Sequence, residues 1–339
     1  MPLNEGAGGP ADGNPWALDE RSAAGAAPLR WLRGNLHCHT TASDGRLSPQ
    51  ATADWFRAAG YDFLALTDHN TVVDPAGVDA GDLCLIPATE LTAGGGALGG
   101  SYHLVALGLR PGVSLPPPST PAPESGAWLH QQGAVFFVAH PVWSGLTVDD
   151  LLAVPGYGIE AYNGGTVLDS QKGEALAHWD EGLARGARWW GLATDDTHWH
   201  TVDRGTGWVV ARAPAATPAA LLDALARGHF YATSGPELRH VALRPEADGS
   251  VTLDVETSPC AAIYALGFGP HNQFVFDPRA GASRDGVTGG VDAREAAGAG
   301  WTVERATFRL RPESLPGRYV RVQCVDWQRR AAWSNPLFF

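Results

Sequence analysis

The feature that most constrains this chain is a series of short, continuously apolar segments, most of them ending in polar residues. LRGNLHCH, YDFLALTDHN, DLCLIPATEL, YHLVALGL, AVFFVAHP, GIEAYN and RWWGLATDDTH follow one another between Leu32 and His198. Strands that are apolar on both faces are buried on both faces, as in a parallel sheet or barrel. Helical patterns lie between them. Ser48 is an N-cap with Pro49 at the first helical position, and Gly60 is the stop. SGAWLHQQG is a short helix, and VLDSQKGEALAHWDEGLARG, residues 167–186, predicts one longer helix. Residues 111–123 form a proline-rich loop. The fold class is therefore α/β.

Beyond Gly207 the pattern changes. GWVVARA and TPAALLDALARG add a strand and a helix. After about Leu238 little helix remains, and HVALRP, VTLDVET, AIYALGF, WTVERATFRL, YVRVQCVD and AWSNPLFF predict a small C-terminal antiparallel β-sandwich. Residues 1–28, rich in Ala, Gly, Pro and Asn, read as a flexible arm, 29–236 as the α/β unit and 237–339 as the sandwich. The Gly-, Ala- and Asp-rich stretch 278–300 reads as a mobile loop.

Composition excludes several classes. The 339 residues are 44% hydrophobic and 18% charged, enough for a large core. The net charge of −12 repels phosphate backbones and anionic membranes, so neither a nucleic-acid groove nor a membrane partner is expected. Cys38, Cys84, Cys260 and Cys324 show no metal-finger or redox spacing. The reduced state is expected, although Cys260 and Cys324 are placed where they can pair. No secretory pattern opens the chain, and no run approaches the roughly 20 apolar residues of a membrane span. The expectation is a soluble, cytoplasmic protein, with its oligomeric state left open.

The polar residues fall at strand ends. His37 and His39 end the first segment, Asp68 and His69 the second, and Glu90 the third. His103 starts the fourth, His140 ends the fifth, and Asp195, Asp196 and His198 end the seventh. Six of the 12 histidines occupy these places, far from a scattered distribution. Histidines at i and i+2 of a strand face the same side, so His37 and His39 can grip one ion, and Asp196 with His198 repeats the spacing. Imidazole mixed with carboxylate suits Zn, Mn or Fe, and Glu90 can bridge two ions. Singly, each feature has an ordinary alternative: a buried strand, a capped turn, a hydrogen-bonded core histidine. Their recurrence at successive strand ends favours a multi-metal centre at one opening.

HCHTTASDG, LALTDHN, ATELT, YHLVALG, VAHP and TDDTH, in that order, resemble the motifs of the PHP (polymerase and histidinol phosphatase) superfamily over residues 31–236. The resemblance implies a distorted (β/α)7 barrel with two or three divalent metal ions (Mn, Zn or Fe) at its mouth. It implies hydrolysis of a small phosphate mono- or diester by a hydroxide bridging two ions. It assigns His37, His39, Glu90 and Asp196 to the first ion, Glu90, His103 and His140 to the second, and Asp44, His69 and His198 to a third. GHFYATSGPEL and the β-rich region after it resemble the carbaryl-hydrolase-like branch. Around such a centre, Asp68 and Asp195 are candidates for orienting ligand histidines or moving a proton. Arg204, Arg33 and Asn163 are candidates for contacting a small-molecule ester substrate. Two other functions fit less of the pattern. One is carbamate, amide or carboxyl ester hydrolysis at the same centre, which a cavity with few cations would favour. The other is a carbohydrate- or protein-binding module on an inactive barrel, with Trp301, Trp327 and Trp333 as a sugar platform.

Overall fold

A computed structural model describes residues 14–17, 28–276 and 302–339. In chain order the first part contains β1 (Arg30–Asn35), α1 (Pro49–Ala58), β2 (Phe63–Leu66), β3 (Cys84–Ala93), β4 (Tyr102–Leu107), α2 (Ala122–Gln131), β5 (Val135–Val138), α3 (Val148–Leu152), β6 (Gly158–Asn163), α4 (Gly164–Ser170), α5 (Leu176–Ala184), β7 (Trp190–Thr194), β8 (Trp208–Ala213), α6 (Pro218–Ala226) and β9 (Phe230–Thr233). The helix start read at Ser48 is present: its hydroxyl accepts from the Ala51 N–H at 3.2 Å.

β1 to β7 lie side by side in sequence order. β1, β2 and β3 run parallel, as do β5, β6 and β7, but β4 is antiparallel to both of its neighbours. The uniformly parallel sheet expected from the apolar segments is corrected here. Only Gly94–Ser101 separates β3 from β4. A parallel crossover needs about a dozen residues or more, so this Gly-rich connection can only turn back as a hairpin. The reversal explains an oddity of the sequence. His103 starts its strand, yet it sits opposite Thr92, two residues past Glu90, at the same end where its parallel neighbours finish.

Beyond Asn35 and Thr194 the chain continues to pair. The His39 N–H donates to Thr197 O and the Asp196 N–H to His37 O, both at 2.9 Å, around a parallel bridge between Cys38 and Thr197. These bonds join the first and seventh strand ends at the level of the polar residues. The single helix expected over 167–186 is two helices. Gln171 takes φ 60°, and a Cβ on Gly173 would sit 2.2 Å from the Asn163 carbonyl. The chain therefore turns sharply there to bring the Gly173 carbonyl onto the Asn163 N–H.

The C-terminal strands are β10 (Leu238–Pro245), β11 (Val251–Cys260), β12 (Ala262–Leu266), β13 (Asn272–Val275), β14 (Val303–Leu310), β15 (Tyr319–Val325), β16 (Ala331–Ser334) and β17 (Leu337–Phe338). β10, β11 and β14 form a three-stranded antiparallel sheet. β12, β13, β15 and β16 instead extend the large sheet, because β16 pairs with β9 from Ala332–Thr233 to Ser334–Tyr231. The two sheets share one apolar cluster, in which Leu253, Val255 and Phe308 meet Val320 and Val322. β13 was not foreseen, and one sheet runs through both parts of the chain.

The arm expected over 1–28 falls largely outside the described residues. Residues 14–17 are ordered against the C-terminal part: Trp16 is buried, donates to Arg239 O at 2.9 Å and stacks on Tyr231. The loop expected at 278–300 and Trp301 also lie outside the described residues. Trp333 is buried beneath Tyr162 and offers no exposed platform. The four cysteines are free thiols. Among the described residues no helix is long and apolar enough to cross a membrane.

A buried ion pair ties α5 to β15. Arg321, 2% exposed, reaches both Asp180 oxygens at 2.7 Å and stacks on Trp179, while the Tyr319 hydroxyl donates to the same carboxylate. Removing one partner of such a pair leaves the other charge buried. Asp180→Ala is expected to lower unfolding free energy by roughly 3 kcal/mol, measured as a shift in urea midpoint.

Candidate metal centre

The turn after β1 is built to return the chain on itself. Asp68 accepts from the Thr40 N–H, the Thr40 hydroxyl and the Ser43 hydroxyl at 2.7–2.8 Å. A Cβ on Gly45 would lie 2.4 Å from the His39 carbonyl, so only glycine closes this loop. Asp44 is thereby carried back over His39. Its oxygens lie 3.5 Å from His39 Nδ1 and 3.6 Å from both His69 Nε2 and His198 Nε2.

All nine sequence-predicted ligands meet in one place. Their donor atoms form four overlapping groups: His39, Asp44, His69 and His198; His37, His39 and Asp196; His37, Glu90 and His140; His69, Glu90 and His103. The groups overlap more than the expected three sets do, and His103 Nδ1 and His140 Nε2 both approach Glu90 Oε1, at 2.7 and 3.0 Å. Asp196 and His198 do not repeat the His37–His39 strand geometry. β7 ends at Thr194, Asp196 takes φ 52°, and the two side chains serve different groups.

The donor chemistry fits divalent cations. Glu90 is fully buried, and its Oε2 has no hydrogen-bond partner. That oxygen faces ring nitrogens of His37, His39 and His69 at 3.3, 3.2 and 3.0 Å. His37 Nε2 and His39 Nε2 point at each other across 3.2 Å, where two lone pairs have no use without a proton or a cation between them. A buried carboxylate oxygen that several ring nitrogens face without forming a hydrogen bond is a position a bound cation would fill.

Several ring orientations are fixed from outside the cluster. His37 Nδ1 lies 2.7 Å from Glu160 Oε1, which leaves Nε2 facing inward. His198 Nδ1 lies 3.1 Å from the Asp196 carbonyl, and its Nε2 faces Asp44. Such outer partners fix the tautomer of a ligand histidine. Glu160 was not foreseen, although a glutamate inside the apolar segment GIEAYN was a signal, because a buried carboxylate needs partners. It also accepts from Thr194 Oγ1, the His140 N–H and Asn163 Nδ2, each at 2.7 Å.

The remaining sequence-stated candidates take other places. Asp195 orients no histidine: it accepts from the Gly205, Thr206 and Gly207 N–H groups and the Thr206 hydroxyl, pinning that loop. Asp68 likewise holds the Thr40–Ser43 turn. Asn163 is fully buried and donates to Glu160 and Asp196, so it positions a candidate ligand and does not line the opening. Arg33 is clamped between the Tyr61 and Trp208 rings, each centroid 4.0 Å away, and Arg204 donates to the Thr201 carbonyl. Neither arginine lines the cavity at the centre, which measures about 300 Å³. Trp143, Asp169, His200 and Asp203 do line it and were missed; Asp169 lies near the end of α4, and the other three sit in loops without periodic pattern.

Burial and charge pull the titrations apart. At His37, burial opposes the charge, but Asp196, Glu160 and Glu90 outweigh it and raise the imidazole well above its ordinary value. His39 is raised to about 9 against the same burial, by the neighbouring Asp196 and Glu90 carboxylates. His140 is raised by Glu90 despite burial. Glu90 and Asp196 are held low although burial opposes it, His37 being the largest favourable charge for each. His198 is lowered, first by burial and then by His39. Burial lifts Asp195 to about 6 in spite of its four donors.

No protein-family model matches the chain. A stretch of 80 residues is 38% identical to a 5'-3' exoribonuclease of Haemophilus influenzae, covering 22% of this chain and 27% of that protein. The chain thus spans only about a quarter of that curated relative. Structural neighbours include a two-domain Bacteroides vulgatus protein described as containing a predicted PHP-like metal-dependent phosphoesterase (TM-score 0.46, 16% identity, 72% of this chain and 82% of that one). A Chromobacterium violaceum amidohydrolase is another (TM-score 0.38, 19% identity, 49% and 87%).

Two measurements check the centre. Glu160→Gln is expected to weaken metal binding roughly 10–100-fold with the fold retained, read by competition with a chelator and by circular dichroism. In the metal-free protein His39, raised to about 9, holds a proton at pH 7, and a cation needs its lone pair. Metal uptake should therefore release protons, and affinity should rise with pH until His39 is neutral above about 9. Titration calorimetry in buffers of different ionisation enthalpy reads the proton count.

Proposed function

We propose that this chain is a metal-dependent hydrolase acting on a small-molecule phosphate mono- or diester. The observation that carries the proposal is the fully buried Glu90 carboxylate, whose Oε2 makes no hydrogen bond yet lies within 3.3 Å of three histidine ring nitrogens, where the histidine and aspartate groups overlap. Divalent ions bound there, Mn, Zn or Fe from the mixed nitrogen and oxygen donors, supply Lewis-acid activation of water and neutralise charge on the ester. His37, His39, Asp196, Glu90, His103 and His140 would hold two ions, and Asp44, His69 and His198 a third.

The chain's own groups would do the rest. Glu160 and the Asp196 carbonyl hold His37 and His198 with Nε2 directed inward. Asn163 orients Asp196, and Asp195 fixes the 205–207 loop behind the site. All the ligands fall within residues 29–236, which we assign as a PHP-type barrel. Residues 237–339 would form a β-rich companion, as in carbaryl-hydrolase-like members. A protein nucleophile is not required.

A second substrate class has one observation in its favour. Among the described residues, no Lys or Arg lines the cavity, so nothing but bound cations would meet a phosphate's charge. A neutral carbamate, amide or carboxyl ester at the same centre avoids that demand. The cation-free cavity also argues against a polyanionic RNA substrate.

Stripping metal with a chelator and restoring Mn or Zn should abolish and recover hydrolysis of 4-nitrophenyl phosphate or bis(4-nitrophenyl) phosphate. Faster turnover of a 4-nitrophenyl carbamate would move the assignment to the second class. Absence of metal-dependent turnover on every ester would remove the proposal.

A further inference from the structure

Trp143 lines the cavity and is 47% exposed, whereas Trp179, Trp189 and Trp190 are buried. Leaving so large an apolar face in water forgoes burial energy, so its position calls for a reason. The indole is held in place: it meets the His140 ring in a T-shaped contact at 5.0 Å and the His103 ring at 6.0 Å. It stands at the rim beside two candidate ligands.

Asp169 and Asp203 also line the cavity, and their chain neighbours Leu168 and Val202 are 48% and 72% exposed. The cavity lining is thus acidic and histidine-rich, carries the Trp143 indole as its one large apolar side chain, and is free of lysine and arginine among the described residues. Such a lining offers little to a second phosphate and much to an uncharged ring.

We infer that Trp143 is a specificity-determining residue that holds an uncharged aryl group of a ligand whose ester end sits at the metal centre. The inference rests on the hydrolase reading for the ester end. The aryl group would lie against the indole face turned away from His140. The Asp44, Asp169 and Asp203 carboxylates would disfavour a polyanionic alternative in the same place.

The test is equilibrium binding to the metal-loaded full chain, by calorimetry, of 2-naphthylphosphonate against methylphosphonate. The wild type should prefer the naphthyl ligand by about tenfold or more, the scale of an aromatic contact plus its buried area. Trp143→Ala should cut that preference by about tenfold, and Trp143→Phe should keep it within about threefold. Metal content is measured for each variant, and Trp143→Gln takes the place of the alanine variant should that one lose metal. No preference in the wild type, a preference unchanged by both ring-removing variants, or tighter binding of a 5'-phosphorylated dinucleotide than of the naphthyl ligand would overturn the inference. Hydrolysis of 2-naphthyl phosphate is followed in parallel. Preference without turnover removes the hydrolase reading and leaves the role of Trp143; turnover without preference does the reverse.

Discussion

The Glu160 carboxylate joins four strand ends at one point. It is fully buried on β6 and receives His37 from beyond β1, the His140 N–H from beyond β5, Thr194 from the end of β7 and Asn163 from its own strand, each at 2.7 Å. A buried charge is tolerated only when its oxygens are fully engaged. Here the engagement also sets geometry. His140 takes φ 26° and Asp196 φ 52°, conformations that cost of order 1–3 kcal/mol each for non-glycine residues. The Glu160 bond to the His140 N–H holds the first. The His37 carbonyl and Asn163, both anchored near Glu160, hold the second. Candidate ligands from β1, β5 and β7 thus share one support that itself faces away from the cavity.

The candidate ligands were legible because each is a local event. A polar residue that ends an apolar segment is visible within ten residues of sequence, and its repetition at successive strands marked the common opening. Strand direction was not legible in the same way. An apolar run looks alike whether its neighbour is parallel or antiparallel, and only the short Gly94–Ser101 connection carried the reversal of β4. Glu160 escaped for a different reason. Its partner His37 is 123 residues away, and nothing local distinguishes a hub from an ordinary polar residue in a strand. Asp195 and Asn163 were placed at the right level but given the wrong neighbours. Their hydrogen bonds go to the loop 205–207 and to Glu160, and sequence spacing does not report where a side chain turns. Arg33 was drawn toward substrate by its charge, yet two aromatic faces hold it elsewhere.

Charge balance separates this centre from an ordinary buried network. Glu90, Asp196 and Glu160 are buried together with His37, His39 and His140, and Asp44 closes the open side. Without cations the carboxylates raise the His37, His39 and His140 imidazoles above their ordinary values. Glu90 Oε2 makes no hydrogen bond even so, with three ring nitrogens 3.0–3.3 Å away. A purely structural network would be expected to satisfy that atom, since a half-satisfied buried network is less stable than an apolar core. The residual mismatch therefore points to a cation.

The C-terminal part contributes at the opposite end of the same strands. Asn335, 1% exposed, accepts from the Gly191 N–H at 3.0 Å and donates to the Gly228 and Phe230 carbonyls at 2.9 and 3.2 Å. Gly191 lies near the start of β7, four residues before Asp195. One buried amide thus fixes the foot of β7 and the entry to β9, while the β9–β16 pairing carries the sheet across. A strand held at its foot by Asn335 and at its end by Glu160 through Thr194 has little freedom to slip. A slip of one residue would turn every β7 side chain to the other face. The β-rich part thus acts on the centre through the register of β7, with no need for a side chain of its own at the cavity.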